Sequence, residues 1–315
     1  MVCKKSVRSL VEEPSGNKRE LILKEINEID EDKLKHNERL IQEWIDCQKH
    51  FPKNIDPGLI RGTLRGHKHI LERTKQKLEQ HLAARHLYPE IFGNRSPFEK
   101  EIVQAMDVVN IAIVPRLSPT GRIIVLLNLN RYDPSEFNYQ NVVKLFFMLY
   151  ELLISSDTLY SGEIAIFDAS NLTPGHIAKW FGPFFKTVMI ILKEAYAVRL
   201  KELYIINAPH IMSKMVSAIK PLLHSKVRNS IYILDNSQPV LDKLGPDYLP
   251  SDFGGNLKSI RQLSLDYYDV LNDNAKRFED QEDVKIIGIP EKVYTKLYMQ
   301  DQIGIEGSFR KLEID

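Results

Sequence analysis

YIINAPHIMSKMVSAIKPLLHSKVRNSIYILD (residues 204–235) begins and ends with a short apolar run that is typical of a buried strand. Between these runs, apolar residues recur at helical spacing from Ile211 to Leu223. A helix that joins two strands of one sheet returns the chain to the end where the first strand began, so the strands are parallel. The stretch therefore predicts a strand–helix–strand unit of an α/β sheet.

The residues before this stretch continue the alternation of strands and helices. The runs VNIAIVPRL and RIIVLLNL flank SPTG, which predicts a hairpin, and the strands EIAIFDA and ELYIINA each follow a helical segment. Residues 17–92, in contrast, show helical spacing without a strand pattern. We therefore predict an α/β fold with a mostly parallel sheet over residues 99–260, after an N-terminal all-helical domain over residues 1–98 and before a C-terminal tail, residues 261–315, that packs on the α/β domain.

The composition is typical of a soluble globular protein. The 315 residues carry a net charge of +1 and are 43% hydrophobic, which gives no overall attraction to nucleic acid. The N-terminus lacks the apolar core of a secretory signal, and each apolar run is too short or too interrupted by charge to span a bilayer. Cys3 and Cys47 both lie in the N-terminal part, which fits a reducing compartment. We predict a monomeric, cytoplasmic protein.

The sequence contains no recognisable catalytic motif. It has no glycine-rich dinucleotide turn, no phosphate-binding loop and no G-x-S-x-G turn for a nucleophilic serine. The pairs His67/His69 and His81/His86 lack cysteine or carboxylate partners at metal-binding spacing, which favours surface histidines over a metal site. Asp168 follows a strand, where capping of the next loop is favoured over ligand binding. We predict no catalytic residue, no metal and no cofactor.

The apolar stripe between Ile211 and Leu223 has two interpretations. Any helix that covers a sheet is amphipathic, and the stripe alone favours this interpretation. A movable helix is favoured by Pro221 within the stripe, by its two methionines, and by the seven basic and two acidic residues between Lys193 and Arg228. Exposing seven apolar side chains to water would cost about 10–20 kcal/mol, so such a helix would open only at a lipid surface.

Three motifs in this order and spacing, YIINAP, IKPLLHSKV and LPSDFGG, resemble the CRAL-TRIO (Sec14-like) lipid-binding family. The segment LRGHKHILERTKQKLEQHLAARHLYPEIF resembles the helical domain that precedes it, especially in insect members. The resemblance extends from about Asp30 to Asn256 and is greatest to the branch of α-tocopherol transfer protein and cellular retinaldehyde-binding protein. It implies a non-catalytic protein that holds one hydrophobic molecule in a cavity between the sheet and a gate helix, here residues 211–223.

The resemblance also implies which residues line that cavity, although an ordinary core would give the same pattern. The implied residues are Tyr150, Phe167, Val188, Ile191, Leu192, Tyr196, Leu203, Met215, Ile219 and Leu222. Tyr150 and Tyr196 are candidates for a hydrogen bond with a hydroxyl or carbonyl group of the ligand. A serine that tocopherol binders use corresponds to Leu149 here, which leaves tocopherol, a retinoid, a carotenoid or another isoprenoid as candidate ligands.

Basic residues beside the gate bind phosphoinositide head groups in the same branch and prompt release of the ligand. The candidates here are Arg199, Lys201, Lys226 and Arg228. The fourth basic position of the family pattern is Ser230, two residues after Arg228. The charged residues with which the Sec14 branch holds phosphatidylinositol correspond to Val198 and Ser230, so the resemblance argues against phosphatidylinositol held in that manner.

The sequence therefore predicts a carrier that binds one hydrophobic small molecule or lipid. It would release this ligand during transient association with an anionic, phosphoinositide-containing membrane. The alternative from another functional class is a phosphoinositide-sensing adaptor that regulates a protein partner. A stoichiometric apolar ligand would favour the carrier, and a filled interior would favour the adaptor.

Overall fold

The computed structural model describes residues 6–28, 30–130, 133–220 and 225–299, with the backbone alone at residues 183, 218, 219, 225, 226 and 299. Its helices are α1 (Val7–Leu10), α2 (Gly16–Ile26), α3 (Glu31–Cys47), α4 (Pro57–Gly66), α5 (Leu71–Leu87), α6 (Pro89–Phe92), α7 (Lys100–Val108), α8 (Tyr139–Ile154), α9 (Pro174–Trp180), α10 (Pro183–Ala195), α11 (Ile211–Ile219), α12 (Ser225–Arg228), α13 (Gln238–Leu244), α14 (Ile260–Asp273), α15 (Ala275–Asp280) and α16 (Glu291–Tyr294). Its strands are β1 (Val109–Ile113), β2 (Ile123–Leu129), β3 (Glu163–Asp168), β4 (Leu200–Ile206) and β5 (Ile231–Ile233). Two 3-10 turns (Pro246–Tyr248 and Ser251–Phe253) and a π-helical turn (Thr295–Met299) are the remaining helical elements described.

The strands form one sheet in the order β1-β2-β3-β4-β5. Strands β1 and β2 are antiparallel and joined by the predicted hairpin, whereas the neighbours from β2 to β5 are parallel. Gly121 adopts the left-handed conformation (φ 72°) in the hairpin turn, where its amide donates to the carbonyl of Ser118 at 2.8 Å. The prediction of an α/β fold with a mostly parallel sheet is confirmed.

Different parts of the chain cover the two faces of the sheet. Because neighbouring strands follow one another in sequence, right-handed crossovers place the connecting helices on one face. Side chains of α8, α10 and α11 pack in one cluster with residues of that face, including Ile111 and Ile205. The opposite face packs against the segment that follows β5, in which Val240, Leu249 and Phe253 are buried. Each face of the sheet therefore has its own hydrophobic core.

Helix α4 connects the N-terminal helices to the α/β part through three glycines. Gly58, Gly62 and Gly66 recur at every fourth residue, so they lie on one face of the helix. A methyl group added to Gly62 would overlap with the backbone carbonyl of Ile154, and one added to Gly66 would lie 2.5 Å from the Cβ of Ala197. Glycine is therefore required for α4 to lie this close to the end of α8 and to the residues before β4.

Arg65, in the last turn of α4, links three segments. Its guanidinium donates to both carboxylate oxygens of Glu28, at 2.8 and 3.0 Å, and to the carboxylate of Asp157 at 2.6 Å. Glu28 also pairs with His69 at 3.2 Å. Burial alone would raise the pKa of Glu28, but the hydrogen bonds from His69 and Arg65 lower it to about 2. The group holds the end of α2 against α4 and against the loop that follows α8.

The C-terminal helices pack on the edge strand β1. The Tyr268 hydroxyl on α14 donates to the carbonyl of Val109 at 2.8 Å and accepts from the amide of Ile111 at 3.1 Å. Strand β1 is thus held on one side by β2 and on the other by hydrogen bonds from a helix. Covering an edge strand in this way removes its unpaired backbone groups from contact with other chains.

The division of the chain at residues 98 and 260 stays a prediction. Residues 300–315 of the predicted tail lie outside the described residues. Within the part of the chain that the structure describes, no helix is both long enough and apolar enough to cross a membrane.

Replacing Gly62 with alanine should destabilise the protein by about 1–3 kcal/mol, because the methyl group has no room against the backbone of Ile154. The same change would otherwise favour a helix by about 1 kcal/mol, so any loss reports the packing. Gly182→Ala is the control, since its methyl group would come no closer than 3.9 Å to a neighbour. Urea unfolding measures both variants, and an unchanged midpoint for Gly62→Ala would contradict the close contact.

Glu28→Gln should lower the free energy of unfolding by about 2–3 kcal/mol at pH 7, because the carboxylate is stabilised by Arg65 and His69. A carboxyl group whose folded pKa is lowered contributes fully above its unfolded value of 4.5 and loses its contribution as the pH falls towards 2. The difference from the original protein should therefore shrink over that range in urea titrations. Glu31→Gln, at an exposed ion pair of α3, is the control and should leave the urea midpoint nearly unchanged at every pH. A difference for Glu28→Gln that stays constant with pH would contradict this prediction.

Candidate functional site

The two faces of the sheet differ in how completely their apolar side chains are covered. On the face towards residues 238–263, the side chains of the central strands are buried, namely Ile124, Leu126, Ile164, Ile166, Tyr204 and Ile206. On the helix-covered face, side chains that are neighbours in register form two rows that are mostly half-buried. The first row contains Val125, Ala165, Leu203 and Ile231, and the second contains Leu127, Phe167, the buried Ile205 and Ile233. Parallel sheets normally bury apolar side chains on both faces. These rows therefore keep apolar surface that the helices leave uncovered.

Two of the predicted lining residues belong to these rows, and most of the others lie in the hydrophobic cluster of the same face. Phe167 and Leu203 belong to the rows themselves. Three further predicted residues are buried in the adjoining cluster, namely Val188, Ile191 and Met215. Leu192 is half-buried against the same cluster. The side chains of Ile219 and Leu222 lie outside the described residues. The described members of the set thus share one large hydrophobic cluster, and their role as a cavity lining stays a prediction.

Aromatic side chains that the sequence analysis did not single out adjoin the second row. The ring of Trp180 lies 5.2 Å from that of Phe167, 5.8 Å from that of Phe137 and 5.7 Å from that of Tyr139. Trp180 itself is half-buried. The run KWFGPFF at residues 179–185 is the sequence signal for this group, because few segments of the chain are so rich in aromatic residues.

The two tyrosines predicted to hold a polar group of the ligand already donate to buried carboxylates. The hydroxyl of Tyr150 donates to Glu163 at 2.7 Å, and that of Tyr196 donates to Glu151 at 2.9 Å. Burial raises the pKa of Glu163 to about 7 despite the hydrogen bond from Tyr150. Only the acceptor lone pairs of these two hydroxyls are left for another molecule.

Glu151 is the centre of a buried ionic group that sequence reasoning missed. Arg95, whose side chain has no exposed surface, donates to Glu151 at 2.7 Å. Burial would raise the pKa of Glu151, but the charges of Arg95 and Arg85 hold it far below its usual range. The ring of His81 packs edge-on against Tyr196 at 4.8 Å. Charged residues of α5, α8 and the loop before α7 are therefore joined inside the protein.

The structure buries two of the histidines and shows the contacts of Asp168. The expectation of surface histidines is wrong for His69 and His81, since both side chains are only 3% exposed. The buried His69 ring contacts the carboxylate of Glu28. Burial lowers the pKa of His81 to about 4, so the His81 ring is neutral and brings no charge into the interior. Among the described residues, no cluster of histidine, cysteine and carboxylate side chains suits a metal ion. Asp168 caps the following loop as predicted, accepting from the amide of Ser170 at 3.0 Å.

Two of the predicted basic residues meet at the amino end of β4. Arg199 and Lys201 contact the same carboxylate oxygen of Glu25 on α2, at 3.1 and 3.0 Å, and Lys68 contacts it at 3.2 Å. Arg228 ends α12, just before β5, and the side chain of Lys226 lies outside the described residues. Glu25 and Lys68 could not be singled out from local sequence patterns, because they lie more than 100 positions from Arg199 and Lys201.

Comparison with known proteins places these features in a family. Residues 109–255 match the family model of the CRAL/TRIO domain, and residues 30–102 match that of the Pinta-like UBA domain. Human "Alpha-tocopherol transfer protein-like" is 27% identical over 214 residues, covering 66% of this chain and 62% of that protein. Clavesin-1 of Rattus norvegicus is 26% identical over 204 residues, covering 64% of this chain and 58% of that protein. The chain therefore spans about three fifths of the length of these relatives.

Among solved structures, the crystal structure of Sfh5 covers 80% of this chain and 93% of that one, with a TM-score of 0.45 and 12% identity. That distance is too great to bear on function. The CRAL/TRIO match contains all five strands, both half-buried rows and the two cations at the start of β4. Residues 109–255 of the protein therefore form a CRAL-TRIO (Sec14-like) domain.

Proposed function

We propose that the protein is a carrier that binds one hydrophobic small molecule against the helix-covered face of the sheet. The observation that carries the proposal is the pair of half-buried rows at the centre of a parallel sheet. Leucine, isoleucine and phenylalanine side chains in these rows leave apolar surface uncovered, which costs about 25 cal/mol for each Å². An apolar ligand that covered them would recover this free energy on binding.

Helix α11 has the pattern expected of a cover over the ligand. Met212, Met215 and Val216 are buried, whereas Lys214 and Ser217 on the other side are exposed. Two of the three buried side chains are methionines, whose flexibility suits a surface that repacks when a ligand enters. We assign α11 and the residues after it as the gate, with Pro221, Leu222 and Leu223 outside the described residues.

The aromatic group around Trp180 indicates the chemical class of the ligand. Flat aromatic faces at the edge of the second row suit a ring or a conjugated chain. Since the Tyr150 and Tyr196 hydroxyls already donate to carboxylates, we expect few hydrogen bonds to the ligand. Isoprenoids such as a tocopherol, a retinoid or a carotenoid meet both requirements, and the name of the human relative supports the first of these.

We further propose that the cations at the amino end of β4 bind an anionic membrane at which the ligand is released. The candidate residues are Arg199, Lys201, Lys226 and Arg228. Clustered Lys and Arg side chains gain about 1 kcal/mol each at an anionic surface, so a group of this size produces stable but reversible binding. No transmembrane segment is needed for such an attachment, which fits a cytoplasmic protein that associates with membranes transiently.

Ala165→Leu distinguishes a ligand cavity from a solid core. Ala165 lies in the first row between Val125 and Leu203, so a larger side chain there would occupy the proposed ligand space. We expect the variant to lose at least about tenfold in affinity for a fluorescent retinoid, and its stability in urea to change by less than about 1 kcal/mol. In a filled core, the same change would cost about 1–3 kcal/mol through overpacking.

The matched control is Ala112→Leu, at a fully buried position on the opposite face of the sheet. It should destabilise the protein by about 1–3 kcal/mol without a specific effect on the retinoid. Mass spectrometry of organic extracts from the purified protein should find a stoichiometric apolar compound. Equal destabilisation by the two variants, together with ligand-free extracts, would support the adaptor over the carrier.

Replacing Arg199 and Lys201 together with alanine should weaken binding to phosphatidylcholine vesicles that contain phosphatidylinositol 4,5-bisphosphate by about tenfold. Retinoid affinity in solution should stay unchanged, because neither side chain belongs to the rows of the sheet that carry Ala165 and Leu203. Lys258 and Lys276, both exposed on other elements, give a control variant with the same loss of charge. Vesicle cosedimentation measures all three proteins, and equal binding would overturn the assignment of the membrane site.

A further inference from the structure

The cations proposed to bind a membrane already hold an anion that belongs to the protein. Nζ of Lys201, Nζ of Lys68 and a guanidinium nitrogen of Arg199 all lie 3.0–3.2 Å from one oxygen, Oε1 of Glu25. The donors come from three places: the amino end of β4, the loop after α4 and the residue before β4. Three charged donors that converge on one oxygen form the arrangement with which proteins bind an oxygen of a phosphate group.

The charges of this group do not balance. One carboxylate faces three cations, so two positive charges within the group have no counter-charge from Glu25. Burial alone would raise the pKa of Glu25, yet the hydrogen bonds from Lys201 and Lys68 lower it to about 2. Glu25 is therefore ionised at every pH that the protein meets in a cell, and the group attracts anions although it is occupied.

A solute can reach the group from outside. The side chains of Lys68, Glu25 and Lys201 are 46%, 40% and 32% exposed, whereas Arg199 is 10% exposed at the base of the group. An anion could therefore approach along the side on which Glu25 lies.

Glu25 can leave the cations without movement of its helix. It lies in the last turn of α2, and that helix is fixed by Ile22 and Ile26, both with no exposed surface. Ile22 packs against Gly121 in the hairpin turn, where an added methyl group would overlap with it. Rotation of the Glu25 side chain about its own bonds would open the site while α2 stays in place.

We propose that Glu25 is an internal competitor that occupies an anion site formed by Lys68, Arg199 and Lys201, and that a phosphate group of a membrane lipid displaces it. The inference rests on the proposed function, since it assigns a regulator and an additional residue, Lys68, to the membrane site. A phosphomonoester carries a charge of about −1.5 to −2 and offers three oxygens to the three donors. The Glu25 carboxylate carries one charge and uses one oxygen.

This competition would weaken the binding of every anionic head group by the same factor, so that only head groups that bind the three cations strongly would attach. A lipid whose head group carries a single net charge gains little by replacing a carboxylate of equal charge that is already in place. A phosphoinositide with free phosphomonoesters gains both charge and hydrogen bonds. Glu25 would thus prevent attachment to ordinary anionic membranes and permit it where such phosphoinositides are present.

Glu25→Gln tests the proposal, since it removes the charge and keeps the shape. We expect affinity for phosphatidylcholine vesicles containing phosphatidylserine to rise about threefold to tenfold, and affinity for vesicles containing phosphatidylinositol 4,5-bisphosphate to rise by a similar factor. Glu20→Gln is the matched control, because Glu20 is an exposed glutamate on the same helix. The gain of Glu25→Gln should disappear when Arg199 and Lys201 are also replaced with alanine. Equal vesicle binding by the Glu25 and Glu20 variants would overturn the inference.

The outcomes separate this inference from the proposed function. If the alanine variant of Arg199 and Lys201 binds phosphoinositide vesicles as well as the original protein does, the membrane site itself is wrong. If that variant binds weakly while Glu25→Gln changes nothing, the site stands and the competitor is wrong. Soluble inositol 1,4,5-trisphosphate distinguishes lipid from free phosphate: a gain with the soluble compound but not with vesicles would overturn the assignment to a lipid. Glu25→Asp keeps the charge on a shorter side chain and should show a smaller gain, which covers the case in which Glu25→Gln does not fold.

Discussion

A parallel sheet must cover two apolar faces, and this protein covers them unequally. Residues 238–263 fill one face, so that Leu126 and Ile166 have almost no exposed surface. The other face is covered less completely by helices, and Ala165 and Phe167 stay half-buried. The buried face supplies a complete core of its own. The stability of the domain therefore does not depend on full burial of the helix-covered face. A ligand site can occupy that face without unfolding the sheet.

The N-terminal helices stabilise the helix layer from outside. The glycine face of α4 lies against the end of α8, and Arg65 joins Glu28 to Asp157 in the loop that follows. In the last turn of α8, Glu151 binds the buried Arg95. The carboxyl end of α8 is thus fixed by close packing and by a buried charge pair. Buried ion pairs add little net stability, but they are expensive to break one partner at a time.

The features of this structure that could be predicted are those that depend on residues close together in the sequence. The hairpin around Gly121 follows from its turn residues, and the amphipathic face of α11 follows from the spacing of Met212, Met215 and Val216, which are all buried. Contacts between distant residues were not predictable in this way. Glu25 meets Arg199 across 174 positions, and the burial of His81 depends on a tyrosine that belongs to another part of the chain. Nor can periodicity distinguish a row that lines a cavity from a row that lines a core, since both require the same residues.

The order of the strands connects the proposed membrane site with the proposed gate. Strands β4 and β5 are parallel neighbours, so the chain leaves β4 at its carboxyl end, passes through α11 and α12, and returns to the amino end of the sheet. The amide of Leu203 donates to the carbonyl of Ser230 at 2.9 Å, which places the residues before β5 beside Lys201. The last residue of the crossover, Ser230, therefore lies near the amino end of β4, where two of the cations that hold Glu25 are found. A head group bound there would contact both the fixed start of β4 and the end of the segment that covers the ligand. Binding to a membrane and opening of the cover would then act on one continuous stretch of chain, and coupling between them requires no further element.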